Sequence, residues 1–230
     1  MKKTLVFIAM FIGFYSNVYA IPVTITATGE LMSYSYNTTV FADNPYSGIS
    51  TGTSFVYTAY LDTDPLVATN VYSDPESADY RFIGDQYGAT LEVGGVTFGG
   101  MGLITYNIHN DWTPTSWLDR IALLQSPIET SVNGVAGEQL IALTIEDTTG
   151  SMLDSSDMIY PLPSEPGLVQ FSVRGPTYYD DFLAGGSGRW TSISYAYGNA
   201  VPEPNIIALF LAGLIGIGLI HRRKENLGSG

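Results

Sequence analysis

The 230-residue sequence contains no cysteine, and its central region has almost no positive charge. The absence of cysteine excludes a disulfide framework, a thiolate metal site and a cysteine nucleophile. Between Ile21 and Val201 there is no lysine, and four arginines are set against 20 aspartates and glutamates. Such an acidic body repels phosphate backbones and anionic lipid head groups, which argues against a nucleic-acid partner.

The first 20 residues have the layout of a secretory signal peptide. Lys2 and Lys3 precede an apolar run from Leu5 to Tyr15, and a segment of small or moderately sized residues ends at Ala20. The run of about 11 apolar residues is too short to span a bilayer comfortably. We predict cleavage after Ala20, so that the mature chain begins at Ile21.

Apolar and polar residues alternate through the body at the two-residue period of a β-strand. The predicted strands are residues 23–28, 55–61, 80–83, 89–93, 96–98, 103–108, 121–124, 140–145, 168–173 and 190–197. Gly94-Gly95 predicts a two-residue hairpin turn, and Asn133-Gly134 is a candidate for a second tight turn. The stretch from Ser116 to Gln125 fits a strand and a helix equally well.

Many short strands separated by turns predict an all-β body. The sheets should be antiparallel, because parallel strands would need helices between them. We expect one β-sandwich or jelly-roll-like domain over residues 21–200. An N-terminal signal peptide and a single C-terminal hydrophobic helix flank this predicted ectodomain.

The C-terminal segment, residues 201–225, has three parts in a fixed order. Pro202-Glu203-Pro204 interrupts regular structure, because proline cannot donate a backbone hydrogen bond. Residues 206–220 follow without a charge and would rise about 22 Å as a helix, short of the ~30 Å hydrocarbon core of a bilayer. Residues 221–224 then form a basic cluster that would stop export on the cytoplasmic side, with the charges on Arg222, Arg223 and Lys224.

This three-part end resembles the PEP-CTERM sorting tail of bacterial exosortase substrates. The resemblance implies processing by signal peptidase and exosortase, with Pro202, Glu203 and Pro204 acting as substrate residues near the cleavage point. It also implies that the C-terminal helix anchors the chain in the inner membrane only transiently. The destination would be the cell surface or the extracellular matrix of a Gram-negative bacterium, where extracellular polysaccharide is a candidate partner.

The body shows no sequence signature of an enzyme. His109 is its only histidine, which excludes a two-histidine metal site, and there is no Gly-x-Ser-x-Gly motif. We therefore predict a non-enzymatic surface or matrix protein. The alternative is a secreted carbohydrate-binding or glycoside-hydrolysing module, whose hydrolysis would need a pair of carboxylates. The sequence favours no pair, although Asp154 with Asp157 and Asp180-Asp181 form acidic clusters.

Two further sets of residues are candidate ligand contacts. Asp62 and Asp64 are candidates for calcium, which prefers carboxylate and carbonyl oxygens, although the segment lacks the later glycine and glutamate of an EF-hand loop. Trp112 and Trp117 are candidates for stacking on sugar rings, although aromatic residues in β proteins mostly fill cores. No other cofactor is expected.

Overall fold

A computed structural model of the chain describes residues 19–74, 76–111, 119–125, 127–163, 167–175, 182–199 and 201–202. The chain divides into two compact units. One consists of Met1–Ala20 with Ala200–Gly230, and the other is Ile21–Asn199. Among the described residues, the only helical element is the short 3-10 turn Pro65–Val67. The prediction of an all-β body is therefore confirmed.

The described strands number twelve. They are β1 (Tyr19–Ala20), β2 (Pro22–Tyr36), β3 (Ser54–Asp62), β4 (Thr69–Ser73), β5 (Ser77–Val93), β6 (Val96–His109), β7 (Asp119–Gln125), β8 (Ile128–Val132), β9 (Val135–Asp147), β10 (Leu168–Arg174), β11 (Phe182–Tyr197) and β12 (Val201–Pro202). Both predicted tight turns are confirmed, because Gly94-Gly95 joins β5 to β6 and Asn133-Gly134 joins β8 to β9. All four turn residues have positive φ, as such hairpins require.

Eight strands of the larger unit pair into a closed antiparallel barrel. Their order is β10–β11–β2–β3–β5–β6–β7–β9, and the pairing of β9 with β10 closes the ring. Strand β4 pairs with β5, and β8 pairs with β9 beyond the end of β7. The predicted sandwich or jelly roll is not confirmed, because the β9–β10 ladder joins what would otherwise be two sheet edges.

The alternating pattern places one apolar face of each strand inside the barrel. Large side chains with less than 2% exposure fill this interior, among them Tyr57, Phe82, Phe98, Tyr106 and Ile25. The ring of Phe98 stacks on that of Phe171 from another part of the wall, with centroids 4.4 Å apart. Each such side chain contributes about 2–3 kcal/mol through its removal from water, so the closed interior is the main source of stability.

The chain enters and leaves the barrel at the same end, which we call the terminal end. Strand β2 begins there at Pro22 and β11 finishes there at Tyr197, because the two strands are antiparallel neighbours. The backbone N–H of Gly198 donates to the carbonyl of Pro22 over 2.8 Å. Strand β3 also ends there, at Asp62 opposite Pro22.

Residues 150–163, which we call the closing segment, have no regular secondary structure and pack on the core. Three tyrosine hydroxyls hold the segment by hydrogen bonds to its backbone. They are Tyr80 to the carbonyl of Ser156 (3.3 Å), Tyr106 to that of Ile159 (2.8 Å), and Tyr195, which accepts from the N–H of Leu162 (3.0 Å). Side chains of the barrel interior thus supply the hydrogen bonds that this irregular backbone needs.

Candidate functional site

The predicted processing residues fall partly within the described chain. Ala20 and Pro202 lie in the short antiparallel pair of β1 and β12, where Tyr19 is opposite Pro202 and Ala20 is opposite Val201. Glu203, Pro204, the predicted helix 206–220 and the basic residues Arg222, Arg223 and Lys224 lie outside the described residues. Within the described part of the chain, no helix is long and apolar enough to cross a membrane.

Asp62 and Asp64 form a compact turn at the terminal end of the barrel, which we call the acidic turn. The Oδ1 atom of Asp62 accepts a hydrogen bond from the N–H of Asp64 (2.9 Å). The Oδ1 atom of Asp64 accepts from the N–H of Leu66 (2.8 Å), so Asp64 caps the 3-10 turn that follows. This use of short acidic side chains to hold a turn explains why Asp62 ends β3 and Asp64 lies just beyond it.

Both carboxyl groups of the acidic turn are buried. Asp62 is 3% exposed and Asp64 is 5% exposed. The Oδ2 atom of Asp64 is enclosed and has no hydrogen-bond partner among the described residues. The described ion pairs, Arg81–Asp79 and Arg120–Glu146, involve other carboxylates. The described residues contain no group of three or more histidine, cysteine, aspartate or glutamate side chains that could hold a metal ion.

His109 lies on the outer face of the barrel, beside charged residues of the neighbouring strands. It is opposite Arg120 on β7, and Arg120 is opposite Glu146 on β9. Burial, and to a smaller extent the nearby guanidinium of Arg120, lowers the pKa of His109. Ser77 is opposite His109 on β5, but its hydroxyl donates to Asp74 over 3.2 Å.

The other acidic groups mostly stabilise turns. The carboxylate of Asp147 accepts from the backbone N–H groups of Thr149 and Ser151, which lower its pKa to about 2. Asp154 and Asp157 are exposed, and Asp157 accepts from the hydroxyl of Ser155. Asp180 and Asp181 lie outside the described residues, as do Trp112 and Trp117.

Asp119 and Gln125 are among the buried polar side chains that were not singled out from the sequence. Asp119 is fully buried and accepts three backbone hydrogen bonds, from the N–H groups of Asp111 (3.0 Å), Met152 (2.9 Å) and Leu153 (2.9 Å). Gln125 is 1% exposed and accepts from the N–H of Ala89 over 2.6 Å. Both belong to β7, within the stretch that fits a strand and a helix equally well. The sequence therefore could not show whether these two side chains point into the core or toward solvent.

A row of hydroxyl side chains crosses the outer surface of β11, β2, β3 and β5. It consists of Ser194, Thr26, Thr58 and Thr90, which are directly opposite one another on the four neighbouring strands. All four side chains are partly or fully exposed, and none is charged. We call this row the hydroxyl row. In the next row, the hydroxyls of Thr28 and Ser192 bond across the strands over 2.7 Å.

Three surface grooves are lined entirely by described residues, and each contains at most one carboxylate. One is lined by Leu140, Ala142, Gln170, Phe171, Ser172, Arg174 and Gly186, a second includes Glu138, and the third includes Glu92. Glycoside hydrolysis usually needs two carboxyl groups on either side of the bond that is cleaved. These grooves therefore do not provide the pair that a glycosidase requires.

Comparison with family models, with curated proteins and with solved structures gives no match. Function must therefore be inferred from the residues of the chain and from their geometry.

Proposed function

We propose that this chain is an exported, non-enzymatic cell-surface or extracellular-matrix protein, sorted through its C-terminal tail by an exosortase. The observation that carries the proposal is the three-part tail around Pro202-Glu203-Pro204, at the opposite end of the chain from a signal-peptide layout. The compact unit Ile21–Asn199 supports it, because this unit begins directly after the predicted cleavage at Ala20 and ends before the Pro-Glu-Pro motif.

The barrel is well suited to delivery after both ends have been removed. All ten strands from β2 to β11 lie within the unit Ile21–Asn199. The hydrogen bond from Gly198 to Pro22 joins the last and first segments of that unit without any residue of the tail. On this proposal the hydrophobic residues 206–220 hold the chain in the inner membrane only until cleavage, and the role needs no cofactor.

The sorting route can be tested by the intact mass of the protein recovered from the cell surface or medium. We expect a mature chain that starts at Ile21 and lacks the hydrophobic tail. Glu203→Ala should leave most of the protein with its tail and in the membrane fraction, because the processing enzyme would no longer recognise its motif. Glu225→Ala, in the same tail but outside the motif, is the matched control and should be processed normally. An unchanged mass and location after deletion of the exosortase would contradict the proposed route.

A second candidate function is binding of carbohydrate, and the hydroxyl row favours it. The row presents uncharged donors and acceptors across four strands of a strongly acidic protein, and these groups suit a neutral, hydroxyl-rich polymer. The sugar-stacking candidates Trp112 and Trp117 fall outside the described residues. A glycosidase remains the lower-ranked form of this alternative.

Replacement of threonine by valine tests this candidate, because valine keeps the shape and strand preference of the side chain and removes only the hydroxyl. If the row binds glycan, Thr26→Val with Thr58→Val should weaken retention on an immobilised neutral polysaccharide about fivefold or more, since each hydrogen bond is worth about 0.5–1.5 kcal/mol. Thr105→Val with Thr130→Val, on β6 and β8, is the matched control. The candidate fails if the mature protein is not retained on any neutral or acidic polysaccharide tested.

A further inference from the structure

The acidic turn at the end of β3 contains two buried carboxyl groups for which the described residues offer no ion-pair partner. Burying a charge away from water is costly unless it is paired with an opposite charge or bound to a metal ion. The body has only four arginines and no lysine, so opposite charges are scarce. A cation bound from solution would supply the missing positive charge and stabilise the buried acidic turn.

The hydrogen bonds of the acidic turn leave oxygen atoms available for such a cation. Only the Oδ1 atoms of Asp62 and Asp64 are used to bind backbone N–H groups within the turn. The Oδ2 atom of Asp64 is enclosed and unpartnered in a residue that is 5% exposed.

Neutral oxygen atoms lie in the same region of the terminal end. Tyr87 is 7% exposed and precedes Gly88, which is opposite Tyr60 near the end of β3. The ring of Tyr160 packs on that of Tyr106, with centroids 5.5 Å apart. The hydroxyl of Tyr160 is itself buried without a partner among the described residues.

We propose that the acidic turn binds a divalent cation of the calcium type, with Asp62 and Asp64 as its two charged ligands. Hard cations take oxygen ligands of mixed kind, and calcium accepts six to eight of them, including carbonyls and water. Two carboxylates neutralise the charge of one such ion. The remaining ligands would have to be neutral oxygens, because the described residues contain no group of three or more acidic, histidine or cysteine side chains that could hold an ion.

The cation would stabilise the start of the mature chain as well as the turn. The N–H of Thr63, between the two aspartates, donates to the carbonyl of Ile21 over 3.1 Å. Ile21 is the predicted first residue after signal cleavage. Fixing the acidic turn therefore also fixes the point at which the chain enters β2, and it does so in the extracellular setting, where calcium sites are typically of about 0.1–1 mM affinity.

The test uses the mature exported protein, first treated with a chelator and then given calcium chloride alone. At about 10 mM calcium, roughly 100-fold above a Kd of about 0.1 mM, we expect the Tm to rise by about 5–10 °C. Asp62→Asn with Asp64→Asn should abolish this rise, because each asparagine keeps the Oδ1 acceptor of the turn but loses the charge. Asp154→Asn with Asp157→Asn removes two exposed carboxylates at similar spacing and should respond like the unaltered protein.

A second measurement keeps the test decisive if the double variant folds poorly. Terbium is a calcium substitute whose luminescence is excited by nearby tyrosine, and Tyr87 and Tyr160 are the expected donors. Emission should appear with the unaltered protein, and added calcium should displace it. The proposal is overturned if calcium changes neither the Tm nor the terbium signal, or if the Asp62 and Asp64 variant responds as the unaltered protein does.

Discussion

Asp119→Ala is expected to lower the free energy of unfolding by about 3–5 kcal/mol, because one buried and two partly buried backbone N–H groups would lose their acceptor, and an unsatisfied buried group costs about 1–3 kcal/mol. The carboxylate of Asp119 joins three parts of the chain: the first residue of β7, the turn after β6 at Asp111, and the closing segment at Met152 and Leu153. Its loss should release the closing segment first.

Urea unfolding followed by circular dichroism measures this effect, and hydrogen exchange locates it. The amides of Met152 and Leu153 should exchange much faster in the variant than in the unaltered protein. Asp154→Ala is the control in the same segment, and it should change stability by less than about 0.5 kcal/mol because Asp154 is exposed. A loss below about 1 kcal/mol for Asp119→Ala would show that water replaces the carboxylate.

Gly99→Ala should also destabilise the barrel by about 3–5 kcal/mol, through both backbone strain and steric overlap. Gly99 has a φ of +82°, and an added Cβ would lie 2.3 Å from the carbonyl oxygen of Ala89 and 2.5 Å from Cδ1 of Ile141. The first of these atoms belongs to the neighbouring strand backbone, and the second belongs to a core residue. Neither can move without disturbing the wall or the interior.

The hairpin glycine Gly95 provides the matched control for this substitution. Its φ of +79° is nearly the same, but an added Cβ would meet nothing within 4 Å. Gly95→Ala should therefore lower the free energy of unfolding by only about 1–2 kcal/mol, the cost of placing alanine at a positive φ. Equal losses for the two variants, measured by thermal or urea unfolding, would mean that the contacts around Gly99 relax without cost.

The strands could be predicted from the sequence because their evidence is local. The alternation in residues 55–61 identifies the inward side chains, and β3 indeed buries Phe55, Tyr57, Ala59 and Leu61. The two tight turns were predictable because glycine and asparagine tolerate the positive φ that the hairpins need. The closure of the barrel was not predictable, because the β9–β10 ladder depends on register between distant segments, which alternation leaves unspecified.

The candidate sites show the same difference between local and long-range information. Asp62 and Asp64 could be recognised as oxygen donors in a turn, but their burial depends on packing at the end of the barrel. Asp119 could not be singled out, because the segment around it could be either helix or strand and two of its three partners lie 33 and 34 residues away. The proposal for Pro202-Glu203-Pro204 needs only local order, because the resemblance lies in consecutive residues.

The pairing of β2 with β11 makes the first and last long strands of the barrel neighbours. Residues 22–36 cannot pair with this strand until residues 182–197 have been synthesised, so the barrel cannot close on a partly synthesised chain. Contacts at such large sequence separation also fold slowly. On the proposed export route, the barrel would therefore close only after its last strand had crossed the membrane, while the tail still anchored the chain there. Folding would then follow the end of translocation.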